Sequence, residues 1–289
     1  MGNSSQKSIG EKLLAMPPQL IHTITIFLMV FTLVVPITMP ILVTDVSRDF
    51  VKTISELPDG SKVLIVVDYT PASFWEVGWA GSYVLDYLCK NAPHTKFVGV
   101  GFYVPAAGDL LTRMFYEPLP FGDAIDKTYG KVYGVDFVNL GWLPGAESAY
   151  AAFAEDIHKV VQRDHYGNPI ENLPLMSEIR TIKDFDLIVG LESVGVDYIM
   201  RQWYFRYNVP VVMATTGEST AYAMPYVAAK QVKGCLYSVR GVAEYERLMG
   251  MIGIGTMFTN ATSLLHSWLI LLIIIGNVLP YIVRKKGGE

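Results

Sequence analysis

Phosphate-cradling loops are missing from this 289-residue chain. It has no G-x-G-x-x-G and no G-x-x-x-x-G-K-[ST], so the usual supports for dinucleotide and P-loop chemistry are absent. No H-x-x-x-H occurs, and His94, His158 and His165 are too scattered for a zinc site. There is no D-x-D-x-D-G loop for calcium, no G-x-S-x-G elbow and no Cys-His pairing for nucleophilic catalysis. No catalytic residue, no metal and no cofactor is therefore assigned. The two cysteines, Cys89 and Cys235, lie in the apolar runs VLDYLCK and GCLYSV and read as buried small apolar residues; their position permits a disulfide. Charge is scarce too, at 17% of residues against 51% hydrophobic. That balance excludes an ordinary soluble domain and points to membrane segments.

Two long uncharged runs supply the excess. Residues 20–43, LIHTITIFLMVFTLVVPITMPILV, are long enough to cross a hydrocarbon core of about 30 Å, with Pro36 and Pro40 kinking the far end. The run exceeds a signal-peptide core and ends without a small-x-small site, so it reads as an uncleaved anchor. Between Arg247 and Arg284 stand 36 residues without Asp, Glu, Lys or Arg. The expected second span is 264–283, preceded by a Gly-rich juxtamembrane segment, 250–263, read either as a close-packing helix surface or as a hinge. Trp268 and Tyr281 fit the two ends of that span as interface anchors. Lys7 and Lys12 before the first span and Arg284, Lys285 and Lys286 after the second put both tails, 1–19 and 284–289, in the cytoplasm. Residues 45–249 are then an extracytoplasmic domain. Without the tails, 18 basic residues face 25 acidic ones, a balance of −7 that argues against a nucleic-acid partner.

Within that domain, apolar runs of strand length alternate with helical patterns. The strand runs are 62–69, 96–104, 135–142, 185–192, 210–217 and 234–239. Helical stretches follow each, among them 147–164, which puts Tyr150, Phe153, Ile157 and Val161 on one side, and 72–92, which spaces Trp75, Trp79, Tyr83 and Tyr87 by four. Continuous Val/Ile-rich runs mean strands covered on both faces. The expected fold is α/β, a doubly wound, mostly parallel sheet of five or six strands (Rossmann- or flavodoxin-like), flanked by one N-terminal and one C-terminal transmembrane helix. In architecture alone, this alternation resembles membrane-tethered prokaryotic domains with a periplasmic-binding-protein-like or flavodoxin-like sheet. Two stretches break the alternation, 117–134 and 165–184; loops of such length form lids, partner contacts or disordered flaps.

In a parallel sheet the carboxyl ends of the strands share one edge, and ligands bind where the strand order reverses. The junctions here carry Asp68, Thr70 and Glu76; Glu147 and Ser148; Glu192 and Ser193; and Thr216, Glu218 and Ser219. Helix capping alone can place Ser, Thr and Glu at such positions. In the last three junctions, however, Glu precedes Ser and Gly stands just before, the reverse of a capping box. Either these groups are caps only, or at least two of the acids face a shared pocket suited to an amine, a sugar hydroxyl or a divalent cation. The functional expectation is a membrane-anchored, self-associating structural or binding module, a homo-oligomer holding a small polar ligand at the strand ends. Its rivals are an ectoenzyme (hydrolase or transferase) using Glu147, Glu192 or Glu218 as acid or base, and an accessory subunit of a transporter or sensor. The mixed aromatic and arginine segment IMRQWYFRYN carries the residue types enriched at protein interfaces.

Overall fold

Six short strands, each dominated by Val, Ile and Leu, assemble side by side in the computed structural model, which describes residues 9–35, 39–117 and 124–286. They are β1 (Lys62–Asp68), β2 (Lys96–Gly101), β3 (Phe137–Trp142), β4 (Leu187–Glu192), β5 (Val211–Thr215) and β6 (Cys235–Tyr237). Every pairing is parallel, and the order is β3-β2-β1-β4-β5-β6. The sheet is thus a Rossmann-like one with helices on both faces, as the uninterrupted apolar runs require. Its order reverses between β1 and β4.

The pleat sorts each strand's side chains into two cores. Val63, Ile65 and Val67 of β1 pack on one face with Trp79, Tyr83, Leu111 and Phe115. Leu64 and Val66 pack on the other with Phe102, Tyr150, Phe153 and Trp203. By the same alternation Asp68 and Glu192 belong to the second face, at its carboxyl-terminal margin. The aromatic group there is tight: Tyr150 stacks on Phe102 with centroids 4.0 Å apart, and the Trp203 indole donates to the Tyr150 carbonyl at 2.8 Å.

Several sequence expectations are corrected. The helix expected over 147–164 is two helices, Glu147–Glu155 and Ile157–Val160, broken at Asp156, whose backbone is extended. Ile157 N instead donates to Arg180 O at 2.8 Å, a tertiary bond that competes with helix continuation. All four expected apolar positions stay buried despite the break. The 72–92 stretch contains a π-helical turn, Phe74–Gly78, before the regular helix Trp79–Asn91, so Trp75 leaves the buried face and is half exposed. The 165–184 stretch is no flap: Ile170, Leu175, Met176, Ile179 and Ile182 are buried in the second core. Of 117–134, residues 118–123 lie outside the described residues; beyond them Ile125–Tyr129 is a helix ended by left-handed Gly130. Cys89 and Cys235 are both free and buried.

The chain divides into two units, residues 41–256 and residues 1–40 with 257–289. The division falls outside the expected 45–249 on both sides. In the second unit the expected 20–43 span is not one helix. Helix Pro18–Val34 covers 17 residues, residues 39–43 carry no regular structure, and 36–38, including Pro36, lie outside the described residues. At the other end the expected juxtamembrane segment and span are one helix, Ile254–Lys286, of 33 residues. Its Ile254–Tyr281 portion, with a mean hydropathy of 1.9, is long and apolar enough to cross a membrane. Trp268 is not at an end of this helix; its indole donates to Thr25 Oγ1 at 3.0 Å, tying the two apolar helices together.

Candidate functional site

Register brings the strand ends into line. Asp68 is the cross-strand partner of Glu192, Glu192 of Thr215, and Thr215 of Tyr237. Two carboxyl groups therefore stand beside each other at the reversal point, and both are fully buried.

Their surroundings differ. Asp68 Oδ1 accepts from the backbone N–H of Phe102 at 2.7 Å and of Tyr103 at 2.9 Å, while Oδ2 accepts from the Tyr150 hydroxyl. Glu192 Oε2 accepts from Gly195 N at 2.8 Å, and Oε1 is buried without a partner among the described residues. Burial lifts both carboxyls above their ordinary range; in Glu192 the neighbouring Asp68 adds to the rise, whereas in Asp68 the three donors oppose it. Three donors favour the charged form of Asp68, whereas burial and the neighbouring Asp68 favour the neutral form of Glu192. Burial, with Asp68 and Glu192 beside it, likewise drives the Tyr150 hydroxyl well above its usual value, so it stays a donor. Gly195 is required here, because a Cβ would run into Glu192 Oε2 and the Tyr150 hydroxyl.

Hydroxyl groups lace the neighbouring ends. Ser193 Oγ donates to Asp68 O at 2.9 Å, Ser219 Oγ donates to Ser193 O, and Thr216 Oγ1 donates to Ser219 Oγ at 3.2 Å. These bonds clamp β1, β4 and β5 together and leave the hydroxyls occupied.

Above this floor opens a cavity of about 470 Å³. It is lined by the hydroxyl residues Ser193 and Ser219, the apolar Val194 and Val196, the aromatic Tyr103, Tyr198 and Tyr222, and the acids Asp197 and Glu218. Of the ten candidate residues, Ser193, Glu218 and Ser219 line the cavity, and Asp68, Glu192 and Thr216 lie buried at the same strand ends. The other four do not line the cavity, although Glu76 Oε1 sits 3.6 Å from the Cβ position of Gly217, in the turn that carries Glu218. Glu147 is held by both guanidinium nitrogens of Arg201, at 2.9 and 3.0 Å, and by Gln202; these bonds keep its carboxyl below the usual range. Ser148 Oγ bonds back to Gly145 O at 2.6 Å, and Thr70 is exposed, 3.3 Å from Ser73 Oγ. Glu76 accepts from Ser238 Oγ at 2.7 Å near the end of β6. The expected meeting of Glu147, Glu192 and Glu218 is thus corrected: Glu147 is captured by Arg201, and Glu192 is buried at the strand end without lining the cavity.

Tyr103, Asp197, Tyr198 and Tyr222 were not legible as site residues. Asp197 and Tyr198 sit one helical turn past Ser193, a spacing that returns a side chain to the same edge. Tyr103 follows β2 and reaches the cavity only because its N–H is fixed by Asp68.

No family model matches the sequence. No curated protein matches it either. Among solved structures, a trehalose-6-phosphate synthase, OtsA, aligns over 83% of this chain and 48% of its own length, at 12% identity and a TM-score of 0.26. The chain thus spans about half the length of that protein, and a likeness at this level assigns neither reaction nor ligand.

Proposed function

We propose that this protein is a membrane-tethered binding module whose α/β unit holds a small polar ligand in the crevice at the β1/β4 reversal. The observation that carries the reading is the 470 Å³ cavity over that point, a volume within the range of about 300–1,000 Å³ usual for small-molecule sites. Its combination of apolar, aromatic and carboxylate lining suits a ligand of metabolite size. The hydrolase or transferase reading has less support, since of Glu147, Glu192 and Glu218 only Glu218 reaches the cavity.

Helix Ile254–Lys286 is the tether in this reading. Helix Pro18–Val34, packed against it through Thr25 and Trp268, is the second span. Its 17 residues extend about 26 Å at about 1.5 Å per residue, short of a full core unless the following residues contribute. The basic residues at both termini place the tails in the cytoplasm and residues 41–256 outside. Self-association is supported by exposed Phe205, Tyr222 and Met224, large apolar groups on neighbouring helices of that unit.

The test is thermal melting of the detergent-solubilised full chain against a panel of polar metabolites, beside a Val194→Trp variant that fills the cavity from its exposed rim. A panel member should raise the melting temperature of the parent and leave the variant unmoved. No stabilising ligand, or equal stabilisation of both proteins, removes the crevice as a binding site. Light scattering of the same sample tests self-association; a monomer at all concentrations ends it.

A further inference from the structure

We infer that the ligand of this crevice is a small organic cation, an ammonium compound rather than a sugar, a phosphate or a metal ion. The inference rests on the crevice being a binding site and adds the ligand's charge class.

Charge balance is the first support. Asp197 and Glu218 line the cavity, and no Lys, Arg or His lines it. Neither acid takes part in an ion pair among the described residues; Asp197 Oδ1 accepts only the Tyr226 hydroxyl, at 2.7 Å. Arg201 is the neighbouring guanidinium, lying 5.5 Å from the Tyr198 ring centroid, but its fork is occupied by Glu147. That pair largely neutralises itself; Asp197 still feels the Arg201 charge, while no cation stands beside Glu218 in the cavity lining. Clefts lined by one sign of charge concentrate counter-ions of the other.

Aromatic lining is the second. Tyr103 and Tyr222 are 52% and 62% exposed, so their rings lie open to an occupant, and Tyr198 lines the cavity next to Asp197 on the same short helix. An ammonium over a tyrosine face gains from about 0.5 to about 2 kcal/mol, more as water is excluded. The same walls repel phosphates, which would meet carboxylates and no cation. A bare metal ion lacks ligands, since no group of three or more His, Cys, Asp or Glu gathers among the described residues. Three tyrosines and two carboxylates that form no ion pair among the described residues instead match a cation with an apolar body.

Titration calorimetry of the full chain in neutral detergent tests this with choline and putrescine as cations, glucose as neutral polyol and inorganic phosphate as anion. A cation should bind one per chain, more weakly as salt rises. Glu218→Gln and Asp197→Asn should each weaken it about ten-fold or more, the size of a lost bond to a charged group, while Glu218→Asp keeps most of the affinity. Unchanged melting curves show that the variants fold. Glucose binding that Val194→Trp abolishes, with no cation binding, overturns the cation while leaving the crevice. Cation affinity indifferent to both carboxamide variants overturns it too. No heat from any probe overturns this inference, and no stabilising ligand in the wider metabolite panel would remove the crevice reading with it.

Discussion

Asp68 and Glu192 show how position decides the state of two chemically similar groups. Both are wholly buried at paired register positions, yet one has three donors and the other a single backbone N–H. Glu192 is raised above its ordinary value of 4.5. The folded chain therefore retains a proton that the unfolded chain releases from about that pH upward. This contribution to stability is complete at lower pH and is lost as pH climbs through the raised folded value. Glu192→Gln, which keeps the shape and cannot ionise, should accordingly raise the melting temperature at neutral pH and flatten its fall between mildly acidic and neutral solution; identical pH profiles for parent and variant would contradict a raised Glu192 carboxyl. Asp68→Ala strands two amides and the Tyr150 hydroxyl and should cost about 3 kcal/mol or more in chemical denaturation, against about 1 kcal/mol for Tyr150→Phe.

At the scale of elements, the helix Ser238–Leu248 secures the α/β unit where the chain enters it and where the chain leaves it. Glu244 accepts from Thr44 N at 2.9 Å and Thr44 Oγ1 at 2.7 Å, where Thr44 caps the helix Asp45–Ser55. Glu246, fully buried, accepts from Gly253, Gly255 and Thr256 N at 2.7–3.1 Å and from the Tyr83 hydroxyl at 2.8 Å. A distant carboxylate thus satisfies the first free amides of the long C-terminal helix, which has no acidic residue in its own first turn. Glu246→Ala should destabilise the unit by several kcal/mol, about 1–3 for each stranded donor. Hydrogen exchange should quicken first at Gly255 and Thr256; faster exchange confined to other segments would refute the capping role. A second contact is steric. Gly234 lies where any Cβ would strike the backbone of Asp49 and Phe50. Gly234→Ala should therefore push the Asp45–Ser55 helix off β6 and lower the melting temperature by about 2–4 °C per kcal/mol lost in a unit of this size.

For the whole molecule, the consequence of the proposed two-helix tether is orientation. Reporters fused at either end should both read as cytoplasmic, while protease added outside should cut only within 41–256; a single protected terminus would leave one crossing and overturn the proposed second span. In that proposal, confinement to a membrane raises the local concentration of the α/β units, which favours weak lateral contacts without new buried area.

The sequence by itself determined the layered α/β architecture, because Val- and Ile-rich runs without polar alternation can only be strands covered on both faces, and the helical stretches between them are the covers. From parallel strands ending on one edge, the sequence suggested that ten strand-end residues would gather; of these Ser193, Glu218 and Ser219 line the cavity. It also marked the C-terminal apolar helix, though not its union with the Gly-rich segment before it, which depends on Glu246 capping from elsewhere. Only the tertiary structure decided which acids face the cavity. Glu147 has the same local motif as Glu192 and Glu218, but its partner Arg201 is 54 residues away, and a side chain goes where its strongest bond lies. Likewise Tyr103, Tyr198 and Tyr222 are ordinary aromatics in the sequence. They become walls because the strand order, invisible in any local pattern, sets β1 beside β4.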